Sequence, residues 1–326
     1  MLPAVACRRE PLRAAALTGP GSQSMSPNST TRGFTASRFA LTLDGTPAGL
    51  LKSVSGGGAY ADVIAELSRG AFAEKHVGPP KYEDIEVELG IGVDKTIRAW
   101  IDEVLGGKAS RRSGTIESAD AGGNVKSVLE FDNALITEVG FPALDGSSKD
   151  AGSLSLTFRP ESTRMSKGTG SVKSLASAKQ KKWLASNFRL TLGDLPTARV
   201  AKIDAFAIKQ QVAAEDVGEI RERLKRSAIV EIPNLKVTFS EADVAKWADW
   251  FDDFVLKGNS GQEHELSGSI AFLDPTLKNE LGSIELSNVG IFRLAPEPQA
   301  AGAEKIRRWV AELYVERMTF ALAELS

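Results

Sequence analysis

One stretch occurs twice in this chain, and a duplicated strand-and-helix unit narrows sharply what the chain can fold into. The first copy, Lys81 to Gly107, reads KYEDIEVELGIGVDKTIRAWIDEVLGG, and the second, Ile232 to Gly258, reads IPNLKVTFSEADVAKWADWFDDFVLKG. Ile85, Val87 and Leu89 alternate with charged residues, the period-two pattern of a strand with one buried face, and Leu235, Val237 and Phe239 repeat it. Ile97, Trp100, Ile101, Val104 and Leu105 then recur at helical spacing, which predicts a short amphipathic helix with one apolar stripe. Trp247, Trp250, Phe251, Phe254 and Val255 stand at the matching positions of the second copy. Asp94 and Ser240 sit where a helix N-cap belongs, and Gly107 and Gly258 lie just past the helix ends. Each copy therefore reads as strand, capped helix, stop.

The repeat extends beyond this unit. SRFALTL (Ser37 to Leu43) predicts a strand with Phe39, Leu41 and Leu43 inward, running into an Asp44-Gly45 hairpin turn. SNFRLTL (Ser186 to Leu192), followed by Gly193-Asp194, is its copy: Phe39 and Phe188 lie 149 residues apart, and Trp100 and Trp250 lie 150 apart. Such constancy over some sixty residues marks an internal duplication. Downstream, Ser113 to Ile116, Asp120 and Val128 to Asn133 are matched by Ser267 to Ile270, Asp274 and Ser283 to Asn288, and Asn133 and Asn288 are 155 apart. The alternating strand Ser153 to Arg159 closes the first half. Its counterpart is expected within Trp309 to Leu322, with Leu313, Val315 and Phe320 buried. The reading is mainly β, of the α+β kind: two tandem β-barrel or sandwich domains, each of about six strands with one flanking helix.

A chain of 326 residues suits two domains of this size. The expected layout is a disordered leader at 1–35, with Met25 as an alternative start, a first domain at 36–161, a basic linker at 162–185 and a more divergent second domain at 186–326. The linker holds Arg164, Lys167, Lys173, Lys179, Lys181 and Lys182 without an acidic residue; Trp183 alone does not supply the aromatic interleaving of a nucleic-acid surface. Gly56 to Pro80 and Lys209 to Glu231 read as long polar excursions outside the core, the second carrying a charged, helix-favouring run, DVGEIRERLKR. The formal charge of −2 gives no global attraction to nucleic acid or anionic lipid. No apolar run approaches the roughly 20 residues of a membrane span, so no membrane partner is expected.

Nothing in the chain assembles into an expected active site: catalytic, cofactor-binding and metal residues are all expected to be absent. One cysteine, Cys7, and two histidines leave little for a disulfide framework or a zinc site. The adjacent pairs Asp102-Glu103 and Asp252-Asp253 fall opposite the apolar stripe, on the wet face, where carboxylates keep ordinary acidity. His76 and His264 are expected in separate polar loops without a nucleophile, and Gly56-Gly57-Gly58 is not followed by the Gly-Lys-Ser/Thr of a phosphate loop. The tryptophans at 100, 247 and 250 are expected in the core. A structural or binding role is favoured over an enzyme.

The order SRFALTLDG, KYEDIEVELG, TIRAWIDEVLGG, RRSGTIESADAGGN, SVLEFDNALITEVGFPAL, SLTFRPE resembles the phage tail tube family of contractile tails, the gp19-like family related to contractile injection system tubes and to Hcp proteins. Its marks here are Lys81-Tyr82, the Trp100 helix, the run from Arg111-Arg112 to Ile116, Asp120, and Phe131 to Ala134, all within Ser37 to Glu161. The second half lacks the Lys-Tyr and Arg-Arg signatures. The resemblance implies a non-enzymatic subunit without cofactors, which assembles with itself through sheet edges into rings stacked as a hollow conduit. A tandem chain is compatible with three copies in a pseudo-sixfold ring or with six copies. Tail sheath, baseplate hub and tube terminator proteins are the implied partners, and DNA or protein effectors would pass through the lumen without specific binding. The implied setting is a virion tail or tail-like particle assembled in the bacterial cytoplasm. A hub or adaptor ring at the tube end is the alternative, and a tandem β-module that binds carbohydrate or peptide as a monomer, through an exposed aromatic cleft, comes next.

Overall fold

The structure, a computed structural model, describes residues 38–66, 73–91, 94–172, 183–215, 224–298 and 306–322. The expected leader at 1–35, with Cys7 and Met25, lies outside the described residues, as do 173–182 of the basic stretch. The first half runs β1 Arg38–Leu43, β2 Thr46–Leu51, β3 Ser53–Gly56, β4 Ala59–Glu66, β5 Glu74–Tyr82, β6 Ile85–Leu89, α1 Lys95–Leu105, β7 Arg111–Ala119, β8 Val125–Phe141, β9 Leu144–Asp145, β10 Leu154–Arg159 and β11 Ser162–Lys167. The second half runs β12 Phe188–Leu192, β13 Val200–Ile203, β14 Phe206–Glu215, β15 Leu224–Glu231, β16 Leu235–Ser240, α2 Val244–Phe251, β17 Leu266–Leu273, β18 Glu280–Pro296 and β19 Arg308–Leu322.

Two sheets follow the same path. The first is ordered β2-β1-β7-β8-β10-β6-β3 and the second β12-β17-β18-β19-β16-β13-β9. Apart from β2 and β9 at the edges they match strand for strand, which is the structural form of the sequence repeat, and the mainly-β reading with one helix per half holds. The alternating residues point as expected: Ile85, Val87, Leu89, Leu235, Val237, Phe239, Leu313, Val315 and Phe320 are all buried. Asn133 in β8 and Asn288 in β18 both adopt the left-handed region, at φ 48° and 56°, a conformation Asn tolerates better than most residues. Where β19 runs on unbroken, its counterpart is split into β10 and β11 by Pro160, which has no N–H for a ladder bond.

The helices show where the two copies part. Asp94 caps α1, its Oδ1 accepting from the Thr96 amide at 2.9 Å, and Trp100 is fully buried, donating through Nε1 to the Ser110 carbonyl at 2.9 Å. Ser240 instead caps a single 3₁₀ turn, Glu241–Asp243, that feeds α2. There Trp247 is the fully buried ring, stacked 4.6 Å from Phe239, with Nε1 donating to the Pro196 carbonyl at 3.2 Å. Beyond Phe251 the helix widens into a π turn, Asp252–Leu256, which absorbs the one extra residue that separates Trp250 from Gly258 compared with Trp100 from Gly107. The wider turn rotates the stripe. Phe254 stays buried, but Trp250 and Phe251 are only half-buried and Val255 is exposed, so the position-for-position stripe expected from the sequence breaks at its end.

Three further expectations change. The excursions are β-hairpins, β4–β5 and β14–β15, and the part of DVGEIRERLKR that is described, from Leu224, is strand, because pairing with β14 overrides helix propensity. The basic stretch is not wholly a linker: Ser162–Lys167 adds β11 to β8, and Trp183 is buried 4.9 Å from Phe272. Gly193-Asp194 opens no hairpin. By contrast Asp44 and Gly45, at φ 48° and 76°, turn β1 into β2 as expected.

Candidate assembly surfaces

The arginine pair of the first half is a junction built by neighbouring elements. Successive strand residues face opposite sides, so Arg111 and Arg112 on β7 reach different partners. Arg112 donates to Asp44 in the β1–β2 turn and to Glu103 on α1, each at 2.9 Å, while Arg111 pairs with Glu161 at the start of β11. Asn133 donates through Nδ2 to the same Glu161 at 3.0 Å, and its own amide donates to Ser113 Oγ at 3.0 Å. The Arg-Arg-Ser motif therefore ties the first hairpin, the helix and the β10–β11 corner to one strand. At the corresponding positions of the second half, Glu265 accepts from the Tyr314 hydroxyl at 2.7 Å and Leu266 packs on Gly193. Burial and the Glu265 carboxylate push the Tyr314 hydroxyl up to about 12.

The helix carboxylates are not the freely solvated pair that the stripe suggested. Hydrogen bonds from Ser110, then Arg112, hold Glu103 below the usual carboxylate range. Asp102 is shifted upward by burial, against the pull of Arg98 at 3.5 Å. Asp252 pairs with Lys257 at 3.1 Å, and Asp253 accepts from Asn259 at 2.8 Å. His76 lies on β5 rather than in a loop, 3.7 Å from Glu66, and His264 sits beside Asp253 and Glu263 at 3.8 and 3.7 Å. Gly56 and Gly57 turn at φ 77° and 79°; a Cβ on Gly56 would lie 1.9 Å from the Asp84 carbonyl oxygen. Lys81 of the Lys-Tyr signature pairs with Asp62 across the β4–β5 hairpin.

Asp120 and Asp274 occupy matching turns. Asp120 accepts from the Asn124 amide at 2.9 Å, which lowers its carboxyl to about 2; Asp274 is lowered further by bonds from Thr276 and Asn279. Among the described residues no group of three His, Cys, Asp or Glu side chains could hold a metal ion, and no helix is long and apolar enough to cross a membrane.

What the structure adds is a junction between the halves. Strand β14 leaves the second half and pairs antiparallel with the C-terminal end of β8, Phe206 opposite Phe141, Ala207 opposite Gly140, Ile208 opposite Val139 and Lys209 opposite Glu138. Phe141 stacks on Phe206 at 4.9 Å and lies 6.3 Å from Phe272 and 5.8 Å from Phe320, so both halves share one continuous core. Lys209 reinforces the rung, 3.6 Å from Glu138. The helix α1 packs on β19 of the other half, its last turn facing Glu316, Arg317, Met318 and Thr319 across an open groove of about 600 Å³. No strand is expected from the sequence at Phe206 to Lys209, whose partners on β8 lie 65 to 71 residues upstream. A second surface is exposed and apolar: Tyr60, Val63 and Val77 on β4–β5 are 51%, 67% and 68% accessible.

Residues 35–163 match the family model of the T4-like virus tail tube protein gp19. The match is confined to the first half of the chain, 129 of its 326 residues. No curated protein matches the chain. Among solved structures, a chain of the sheath-tube complex of an extracellular contractile injection system, PVC, in its extended state is 20% identical, with 45% of this chain and 100% of that chain covered and a TM-score of 0.38. A chain of the tube terminating cap of the anti-feeding prophage is 18% identical over 45% and 100% of the two chains, TM-score 0.39. Hcp1 from Flavobacterium johnsoniae is 15% identical over 41% and 98%, TM-score 0.27. Within the matched segment, the residues that carry the resemblance prove to be scaffold. Arg111, Arg112, Asn133 and Asp120 hold turns and corners, and Trp100 packs the helix.

Proposed function

We propose that the chain is a structural, non-enzymatic subunit of a phage-tail-like tube, which assembles through its sheet edges into rings of tube domains stacked as a hollow conduit. The observation that carries this reading is the match of residues 35–163 to the tail tube family model together with a second half of the same strand order, joined to the first by strand pairing between β8 and β14. Open strand edges are a liability on a monomer and an assembly surface when a neighbour continues the sheet. The expected layout of a first domain near 36–161 and a second from 186 belongs to this reading, with β11 and the residues after it as the joint. Sheath, baseplate hub and tube terminator proteins are the partners it calls for, DNA or effectors the cargo, and a tail or tail-like injection particle the setting.

The two halves are not interchangeable, since the arginine junction of the first is replaced by Glu265 and Leu266 in the second. A ring of three chains accommodates that difference, and it also suits a hub or adaptor ring at the tube end. Mass photometry and electron microscopy of the purified full chain test the proposal. Rings of three chains with pseudo-sixfold outline are expected. A monomer that persists at high concentration would overturn it.

A further inference from the structure

The β8–β14 junction inside the chain has a counterpart whose two sides both exist but do not meet. Along β18, β17 pairs only as far as Val289, and beyond it the same edge, from Gly290 to Pro296, bonds to no strand among the described residues. In β8 the matching segment, Glu138 to Phe141, is the one that β14 covers. Burial tracks the difference. Val139, Gly140 and Phe141 are buried, whereas Leu294 and Ala295 are half-buried and Pro296 is exposed. The hairpin that corresponds to β14–β15 is β4–β5, with its bulge between Ala61 and Val63 where β14–β15 has one between Gln210 and Val212. Strand β4 pairs with nothing but β5 among the described residues.

We propose that β4 of one copy pairs antiparallel with the free edge of β18 in a second copy, repeating between chains the contact that β14 makes on β8 within the chain. The proposal deepens the tube reading and rests on the self-assembly that reading requires. The register carries over from the repeat: hairpin residues lie 149 apart and long-strand residues 155 apart, so Ile208 opposite Val139 becomes Ala59 opposite Leu294, with Tyr60 opposite Arg293. Gly56 and Gly57, both in the left-handed region, turn the chain out of β3 into the β4–β5 arm, where the second half has Ala205 and Phe206.

Exposed apolar side chains supply independent support. In the intrachain junction, the end of α1 faces Glu316 to Thr319 of β19. The same relation between copies would set the end of α2 against β11, and there Val255 and Leu256 on the π turn that ends α2 are 39% and 69% accessible and Met165 on β11 is 67% accessible. Phe292, next to the free edge, is 41% accessible, and the apolar Tyr60, Val63 and Val77 line the arm. Most large apolar side chains left in water among the described residues thus lie on the elements that the proposal joins: the β4–β5 hairpin, β11, β18 and the turn that ends α2. The contact is heterologous, so repetition closes a ring when its rotations complete a turn.

Disulfide trapping tests the pairing in the full chain, with Cys7→Ser removing the native thiol. Facing residues of an antiparallel pair hold their Cβ atoms about 4.5–5.5 Å apart, within reach of a bridge after small adjustment. Ala59→Cys chains mixed with Leu294→Cys chains should give a covalent dimer on mild oxidation, each alone should not, and the double variant should give a ladder ending at the closed ring. Hydrogen exchange on the unsubstituted protein provides a second readout: those amides among Arg293, Leu294 and Ala295 that point away from β19 should become protected on assembly. Rings that form without the cross-link and without this protection would overturn the β4–β18 pairing and leave the tube reading standing. Absence of any oligomer would overturn both.

Discussion

Phe141→Ala should destabilise both halves of the protein at once. Phe141 is the last residue of β8, 3% exposed, opposite Phe206 in the strand ladder and in ring contact with Phe206, Phe272 and Phe320. An aromatic side chain buries about 150–250 Å², and at ~25 cal/mol per Å² its transfer alone is worth several kcal/mol. Three facing rings cannot collapse fully into the space left, so a loss of about 3–5 kcal/mol is expected, the usual range for a buried Phe→Ala change. At roughly 2–4 °C per kcal/mol for a large domain, the melting temperature should fall by about 10 °C. Phe158→Ala is the comparison, because its ring neighbours, Trp100 at 5.5 Å and Phe131 at 5.0 Å, belong to the first half alone. Calorimetry with hydrogen exchange on β7 and β17 reads the result. A single core predicts one transition in both variants, with protection lost together in β7 and β17. Two separated transitions, with β17 unmoved by Phe141→Ala, or a loss below about 1 kcal/mol, would refute the reasoning.

Gly114→Ala and Gly268→Ala should each cost about 1–3 kcal/mol, the scale of an overpacked core. A Cβ at these matched positions would lie 2.2 Å from the Thr42 carbonyl oxygen and 2.0 Å from that of Thr191, backbone atoms that cannot step aside; wild-type urea midpoints in either variant would contradict this. Asp120→Asn and Asp274→Asn should flatten the acid limb of the stability curve. Both carboxyls titrate below their unfolded range of about 4, so their contribution is present above that pH and is lost as pH falls toward 2. Chemical denaturation from pH 6 to pH 2 measures it, and an acid limb as steep as wild type in the double variant would remove the turn carboxylates from the account.

The duplication, and most of the local structure that periodicity dictates, could be read from residue order. Alternation at Ile85, Val87 and Leu89 and the apolar spacing from Ile97 to Val104 are properties of neighbouring residues, so strand, cap and helix were legible in both copies, as were the Asp44-Gly45 turn and the buried face of β19. The residues singled out as family marks were legible too, although their role as ties between β7, α1 and β11 needed three-dimensional neighbours. Other features depend on contacts between distant segments. The extra residue before Gly258 becomes a π turn and frees Val255 only because Trp247 and Phe254 are held by the core. Lys209–Glu215 and Leu224–Glu231 pair as a hairpin, against the helical bias of the described end of the charged run, because backbone bonds to β8 and between the two strands outweigh local preference. Which strand completes β8, and which edge of β18 stays unpaired among the described residues, depends on pairing between segments tens of residues apart. No side-chain period records such a pairing, since a ladder is made by the backbone groups that every residue shares.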